Sequence, residues 1–555
     1  MRRSLAFALL LCFAMPFCAM GAAAEKTGLA RDVLVLFTSD VHCGVDQNFG
    51  YAGLQAVRDA AAQEDYVLLV DDGDSIQGEP IGILTRGQAN IELMNKMGYD
   101  VAIPGNHEFD YGMDRFFELA EMADFTYVSC NFAKNGELVF PAYVIKEFDG
   151  VKIAFVGITT PETLTSSTPR YFQDEDGNYI YSFSQGGDGS MLYEKVQKAV
   201  DDARAEGADY VFAISHLGNE AACAPYTYAD VLGNTSGIDA MLDGHSHDTM
   251  KVVMLNKSGE NVIRQACGTK MAGIGWLRIS AADGSVDTGL YTWNNSVSAP
   301  DLLGLDNEMD RLVDEATGSI RSQLEESVGV SNVELTINDP TAVDESGTPV
   351  RIVRRAETNL GDLCADAFRD QMGAEVGIVT GGSIRKSIDV GDITVNEILG
   401  VFPFGNRVGV IEATGQQLLD MLEYGVSAVP SENGAFPHVS GMSYEIDMSV
   451  PSSVKRDKNG LYTGIEGEYR IKNVMVGGEP LDLEKTYTIA AQSYVLVDHG
   501  DGITAFDGCK LLKESEELDY RLIIAHIRDT LGGVVGEGYE NPYGQERAVA
   551  IGQDE

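Results

Sequence analysis

"VLVLFTSDVHCG", residues 33–44, sets the pattern from which the fold is read. Val33 to Phe37 is an unbroken apolar run rich in β-formers, too short for a buried helix, and it reads as an interior strand. The chain then turns polar at once, which puts Asp40 and His42 just past the carboxyl end of that strand. The same form recurs in "YVLLVDDGD" (66–74), "DVAIPGNHE" (100–108), "FTYVSCN" (125–131), "KIAFVGITTP" (152–161), "YVFAISHLG" (210–218) and "IDAMLDGHSH" (238–247). Between several of these lie helical patterns, such as "AGLQAVRDAAAQ" (52–63) and "SMLYEKVQKAVDDARAEG" (190–207). Buried strands joined by helical crossovers make an α/β fold. Ligands of such sheets bind beyond the carboxyl ends of the strands. The polar clusters are therefore expected to converge on one site, although more than 200 residues of sequence separate them.

Those clusters are "SDVHCG", "DDGDSIQG", "GNHEFDYG", "SHLG" and "DGHSHD". They offer Asp40, His42, Asp74, Asn106, His107, Asp110, His216, His245 and His247. The chain has 8 histidines, and His42, His107, His216, His245 and His247 all stand in these loops. A lone histidine at a strand end is ordinarily a hydrogen-bonded structural residue, and Gly-Asp is a common turn. The set is specific because every member follows an apolar strand and every side chain is an imidazole, a carboxylate or an amide. Such ligands suit zinc, manganese or iron better than calcium. In "GNHEFDYG" (105–112), Asp110 reads equally as a helix N-cap or as a partner of His107. Glu108 reads as a solvated acid in the first helical turn, and Phe109 as core.

The order D-x-H, G-D, G-N-H-E-F-D, S-H-x-G, G-H-S-H resembles the calcineurin-type metallophosphoesterases. More closely, it resembles the exported 5'-nucleotidase and UDP-sugar hydrolase family. The resemblance implies an N-terminal metallophosphoesterase αββα sandwich, a linker helix and a C-terminal mixed α+β 5'-nucleotidase domain. It implies two divalent ions, zinc, manganese, iron or cobalt. One would be held by Asp40, His42, Asp74 and His247. The other would be held by Asp74, Asn106, His216 and His245, with Asp74 bridging. Paired ions about 3.5–4 Å apart clamp a phosphoryl oxygen and acidify a bound water, so that a metal-bound hydroxide attacks phosphorus in line. By the same resemblance His107 binds no metal. It faces the phosphate and the leaving group, and Asp110 orients it and raises its pKa.

The second half contains "VRRAETNLGDLCADAFRD" (353–370), "EVGIVTGGSIRKS" (375–387), "VFPFGNRVG" (401–409) and "KTYTIAAQSYVLVDHGDG" (485–502). A helix is expected over 360–372, a strand and glycine turn over 375–387, and a strand entering a loop over 485–502. These motifs resemble the C-terminal 5'-nucleotidase domain. The resemblance puts Arg354 and Arg385 on phosphate, where planar guanidinium groups bind bidentately. It puts Phe404 on one face of the base, Asn406 on the base edge and Asp501 on the ribose hydroxyls. Two departures stand out. His499-Gly500-Asp501-Gly502 replaces the family's Gly-Gly-Asp-Gly, and the second stacking aromatic is expected where this chain has Val495. Tyr494, one position earlier, is assigned that role. An upstream phosphate arginine of some relatives falls on Val350, with Arg351 as its substitute.

Composition narrows the partners. The 555 residues carry a formal charge of -45, which repels nucleic acid and leaves any phosphorylated substrate in need of a local reversal of sign. "MRRSLAFALLLCFAMPFCAMGAAAEKT" reads as a secretory signal peptide over residues 1–24, so a periplasmic or secreted protein without a membrane anchor is expected; a monomer is expected as well. The remaining cysteines lack a C-x-x-C pair, so neither a zinc ribbon nor a disulfide scaffold is expected. The divisions are 30–298 for the metallophosphoesterase domain, 299–332 for a linker and 333–547 for the substrate domain. Within the linker, "APDLLG" (299–304) is a candidate hinge, and Met309, Leu312, Val313, Ala316, Ile320 and Leu324 recur at helical spacing. The acidic, glycine-rich stretch 172–190 reads as a surface loop or hairpin. The functional expectation is a nucleotide phosphohydrolase. The alternatives are a 2',3'-cyclic-nucleotide phosphodiesterase with 3'-nucleotidase activity, and a non-catalytic nucleotide-binding protein.

Overall fold

The computed structural model describes residues 28–174, 177–219, 223–293, 306–343, 349–457 and 460–552. The expected signal peptide and the candidate hinge at 299–304 lie outside the described residues.

Two six-stranded sheets face each other in the first lobe. One runs Val286–Thr292, Gly273–Ile279, Val33–Thr38, Tyr66–Asp71, Val101–Ala102, Thr126–Tyr127. The other runs Lys251–Leu255, Asn261–Gln265, Ala240–Asp243, Tyr210–His216, Val151–Thr159, Tyr143–Phe148. In the first sheet Val33–Thr38 pairs parallel with Tyr66–Asp71, and Val70 pairs with Val101. In the second, Tyr210–His216 pairs parallel with both Val151–Thr159 and Ala240–Asp243. Parallel pairing aligns the carboxyl ends, which is why the polar clusters meet.

Alternation along the strands explains the unbroken apolar runs. Val33, Val35 and Phe37 point into the space between the sheets, against Phe155, Phe212, Ile214 and Leu242. Leu34 and Leu36 point outward, against Tyr51 and Leu54 of helix Gly50–Ala61 and Met94 of helix Gln88–Met97. The second sheet's outer face takes Leu192, Val196 and Val200 of helix Ser190–Ala205. The result is an αββα sandwich, as expected. The stretch 172–190 includes a hairpin, with Gln173 bridged antiparallel to Tyr179, but it is not confined to the surface: Phe172 and Phe183 are fully buried and Tyr181 is nearly so. They pack edge-to-face or stacked around Phe109 and Phe132, so aromatic burial outweighs the acidic composition around them.

The second lobe centres on a five-stranded sheet in the order Pro437–Ser440, Val376–Thr380, Thr486–Gln492, Arg407–Thr414, Lys510–Leu518. Helix Asn359–Met372 covers one face through Leu363, Ala367 and Phe368. The Thr358 side chain caps its start, and Gly373 ends it at a φ of 60°. Helix Gly415–Gly425 covers the other face through Leu418, Met421 and Leu422.

Helix Glu308–Leu324 touches both lobes. Met309 and Val313 join the first lobe's outer core, Ile320 packs with Cys43 and Ile81, and Leu324 packs against the second lobe's core. Two hydrogen bonds also cross between lobes: Gln77 Nε2 donates to the Pro403 carbonyl at 3.0 Å, and the Arg170 backbone N–H to the Asp498 carbonyl at 3.3 Å. Cys43, Cys130, Cys223, Cys267, Cys364 and Cys509 are all free thiols. Among the described residues, no helix is long and apolar enough to cross a membrane.

Candidate active site

Five strand ends deliver the first lobe's polar groups. Asp40 and His42 follow Val33–Thr38, Asp74 follows Tyr66–Asp71, and Asn106 and His107 follow Val101–Ala102. His216 ends its strand, and His245 and His247 follow Ala240–Asp243. The loops carry an unusual concentration of left-handed backbone: Asp40 (φ 50°), His42 (45°), Asp74 (57°), His245 (80°) and His247 (54°). Each costs about 1 kcal/mol or more for a residue with a side chain, and such outliers persist where the surrounding structure holds them.

Two groups of donors result. Asp40, His42 and His247 offer ligand atoms within 4.8 Å of one another, and so do Asp74, His216 and His245. Asp74 Oδ2 lies 3.0 Å from His216 Nε2 and 3.9 Å from His42 Nε2, so it stands between the groups. His42 and His247 bring their Nε2 atoms to 3.2 Å. Asn106 lines the same cleft as Asp74 and His245.

The tautomers are set from behind. His42 Nδ1 donates to the Gln77 carbonyl at 3.0 Å and His216 Nδ1 to the Asp72 carbonyl at 2.7 Å, which leaves a lone pair on each Nε2. Asn106 Oδ1 is buried and makes no hydrogen bond, and buried His216 Nε2 faces the Asp74 carboxylate. Burial pushes His42 well below its ordinary value, so it is neutral. Bare imidazole lone pairs, a bare amide oxygen and carboxylates form a donor set that fits divalent cations.

His107 stands apart from both donor groups. Its Nδ1 lies 2.6 Å from Asp110 Oδ2, and Ser167 Oγ donates to the other oxygen of Asp110 at 3.0 Å. Burial pulls the imidazolium down, but the Asp110 and Asp74 carboxylates outweigh it and leave His107 raised above its ordinary value. Asp110 does not N-cap the following helix, which begins at Met113 with Gly112 before it. Glu108 corrects the sequence reading. It is fully buried, and its carboxylate accepts the N–H groups of Asp74 (2.8 Å), Ser75 (2.7 Å) and Gly105 (2.6 Å). The orphaned backbone donors of two adjacent loops need an acceptor, and Glu108 supplies it. Burial raises it to about 7.

Other supports were not read from the sequence. Arg264, fully buried, donates from Nη2 to Asp243 at 2.8 Å and from Nη1 to Asp248 at 2.7 Å, bracketing the loop that holds His245 and His247. Asp243 also accepts from Ser215 Oγ and the Leu217 N–H, tying that loop to the one bearing His216. Glu162 Oε2 lies 3.0 Å from His245 Nε2, and His245 also belongs to the second donor group. Asp243 was visible in the motif; Arg264 and Glu162 carried no local signal.

The second lobe faces the same cleft, of about 380 Å³, with Arg354, Arg385, Phe404, Asn406, Tyr494 and Asp501. Burial, then repulsion from Arg354 and Arg351, pushes Arg385 down to about 10. Arg354 is lowered by burial and by Arg351, and its Nε is buried without a hydrogen bond. Two crowded, under-hydrated guanidinium groups call for an anion. Phe404 lies 6.1 Å from the His107 ring at an interplanar angle of 22°, with Arg385 5.3 Å from its centroid. Tyr494, not Val495, lines the cleft; Val495 is buried in the core. The Tyr494 hydroxyl accepts the Asp501 N–H at 3.0 Å, and its ring leaves no room for a Cβ at Gly500. Arg351 instead pairs with Glu432.

Residues 33–249 match the calcineurin-like phosphoesterase family, and residues 328–508 match the 5'-nucleotidase C-terminal domain. The chain is 27% identical over 547 residues to the trifunctional nucleotide phosphoesterase protein YfkN of Bacillus subtilis, covering 91% of this chain and 34% of that protein. It is 27% identical over 517 residues to a 5'-nucleotidase of Vibrio parahaemolyticus, covering 85% of each. The crystal structure of a 5'-nucleotidase precursor from Thermus thermophilus matches the fold with a TM-score of 0.70 at 23% identity, over 94% of this chain and 100% of that one.

Proposed function

The chain belongs to the metal-dependent phosphoester hydrolases that join a calcineurin-like phosphoesterase domain to a 5'-nucleotidase C-terminal domain, and from that premise we propose that it dephosphorylates nucleotides with two divalent ions, outside the cytoplasm. One observation carries the reading: a single cleft is lined by Asp74, Asn106, His107 and His247 from one lobe and by Arg354, Arg385, Asn406, Tyr494 and Asp501 from the other. Phosphate chemistry and nucleoside recognition thus share one space.

Asp40, His42, Asp74 and His247 would hold one ion, and Asp74, Asn106, His216 and His245 the other. The ions supply Lewis acidity towards a phosphoryl oxygen and towards water when bound. The remaining steps belong to side chains of the chain itself. Arg354 and Arg385 draw the phosphate into a strongly acidic protein. His107, charged through its pair with Asp110, faces the departing oxygen and offsets or neutralises its negative charge. Tyr494 and Phe404 offer aromatic faces to the base, Asn406 its amide to the base edge, and Asp501 its carboxylate to the ribose hydroxyls. Water adds to phosphorus, the ester P–O bond breaks, and the products are a nucleoside and inorganic phosphate.

A second cleft, of about 480 Å³, shares His107, His247, Arg385 and Phe404 with the first and is also lined by Gln77, Lys270 and Lys386. It leaves room for the part of a UDP-sugar beyond the reacting phosphorus. Hydrolysis of 2',3'-cyclic nucleotides is the alternative, supported by the changed loop His499–Gly502 beside Tyr494 and Asp501.

The test is phosphate release from AMP, UDP-glucose and 2',3'-cyclic AMP after chelation and metal add-back, with UDP-glucose and the cyclic substrate coupled to a phosphatase. The expected result is metal-dependent turnover with AMP preferred. A protein that turns over none of the three with any divalent ion is not this enzyme. Preference for the cyclic substrate selects the alternative.

A further inference from the structure

A third group of donors lies beside the two already described. Glu162, Cys223 and His245 offer a carboxylate oxygen, a thiol sulfur and an imidazole nitrogen, all within 4.8 Å of one another. None of the seven residues assigned to the active-site ions carries sulfur, so this group differs from them in chemistry. We propose that Glu162, Cys223 and His245 form a separate site at the rim of the catalytic centre for a borderline or soft divalent cation such as zinc or cadmium.

The geometry suits an ion of that kind. Zinc–sulfur and zinc–nitrogen bonds of about 2.3 and 2.0–2.1 Å place neighbouring ligand atoms of a tetrahedron about 3.3–3.8 Å apart. Glu162 Oε2 and His245 Nε2 already stand at 3.0 Å. Both donors are fixed from the backbone: Glu162 precedes the short helix Thr163–Ser166, and the Cys223 carbonyl accepts the Tyr226 N–H at 2.8 Å. An entry path exists, because the side chains of Glu162 and His245 keep 28% and 15% of their surface exposed while Cys223 is buried at 2%. A carboxylate, a thiolate and a neutral imidazole balance a divalent charge: the thiol proton passes to solvent, and the ring proton that faced Glu162 moves from Nε2 to the other ring nitrogen. Thiolate with imidazole selects zinc or cadmium over magnesium, calcium or manganese.

The site has a functional consequence, which rests on the assignment of His245 to an active-site ion. His245 presents Nε2 to Glu162 and also belongs to the donor group with Asp74 and His216. A cation on Nε2 replaces the Glu162 hydrogen bond and shifts the ring proton to the other nitrogen, so the neutral ring has no lone pair left for the active-site ion. Zinc or cadmium beyond the active-site requirement should therefore lower turnover, whereas excess manganese should not.

The decisive measurement is independent of activity. The metal-free full chain is titrated with cobalt(II) and followed by absorption. Wild type should develop a sulfur-to-cobalt charge-transfer band. Cys223→Ser and Cys223→Ala, with unchanged circular dichroism, should lack the band and bind one equivalent fewer. Cys43→Ser, at the cysteine next to His42, should keep it. In wild type, cadmium should also slow alkylation of Cys223, read by peptide mass mapping. No band in wild type, a band that survives loss of Cys223, or alkylation untouched by cadmium overturns the site. If the band behaves as described but no nucleotide is hydrolysed, the functional reading fails and the cation site stands.

Discussion

His107 is held by Asp110 at 2.6 Å through Nδ1, so its other nitrogen is the one presented to the cleft. It sits one residue from Asn106 and contributes no atom to either donor group. Substitution His107→Ala should therefore lower kcat by about 10²–10⁴-fold, the usual worth of a placed general acid, with no change in metal content by elemental analysis. A variant that loses metal along with activity would place His107 among the ligands instead. Tyr494 and Val495 show how far a motif can be trusted at this scale. The motif position fell on Val495, but Val495 is in the core while Tyr494 lines the cleft. Spacing along a chain does not fix which of two neighbours faces a cavity when the loop that follows has changed.

Among the elements, the loop after Ala240–Asp243 depends on a group far away in sequence. Arg264 stands on the adjacent strand Asn261–Gln265 and is paired with Asp243 and Asp248 without access to water. Arg264→Leu leaves a buried carboxylate without its partner, at a cost of about 3–5 kcal/mol, read by denaturant unfolding. The same variant should bind zinc more weakly by titration, because His245 and His247 lose their support. The helix Asp519–Ala525 carries a second buried acid. Asp519 is fully buried, accepts from Gln492 Nε2 at 2.6 Å, and is raised by burial from 3.8 to about 7. A raised carboxyl favours the folded state below the unfolded value, and that contribution is lost as pH rises through the folded one. Wild type should lose stability relative to Asp519→Asn between about pH 4 and 7, by at most ~1.4 kcal/mol per pH unit. Parallel pH profiles for the two proteins would refute this.

Over the whole molecule, buried carboxylates and imidazoles from five strand ends are brought together with several left-handed residues, an arrangement costly without a compensating cation. Metal binding to the folded state alone should raise the unfolding free energy by about 2.7 kcal/mol at a hundredfold excess over Kd. Chelation should accordingly lower the Tm, and zinc or manganese should restore it. A Tm indifferent to chelator would mean that the loops hold their geometry without ions. The net charge of -45 makes the converse prediction that duplex DNA does not bind even at low salt, where attraction to a basic surface would be strongest.

The sequence by itself determined the α/β class, because strands buried on both faces must be apolar throughout and their crossovers helical, whereas the αββα layering came from the family resemblance. It also determined which strand ends carry the candidate ligands, since a polar cluster after an apolar run has only one place to go. Its resemblance to a known family supplied the proposed roles, from His107 to Asp501. What only the tertiary structure decided lies in contacts between residues remote in sequence. Glu108 looked like a solvated acid but is the acceptor for two neighbouring loops, and Phe172 and Phe183 looked like parts of a surface loop but are core. Arg264 and Glu162 act on histidines that no local pattern ties to them, and Cys223 meets His245 only in three dimensions. Burial and partnership depend on the whole packing, and one residue's neighbours in sequence carry little information about it.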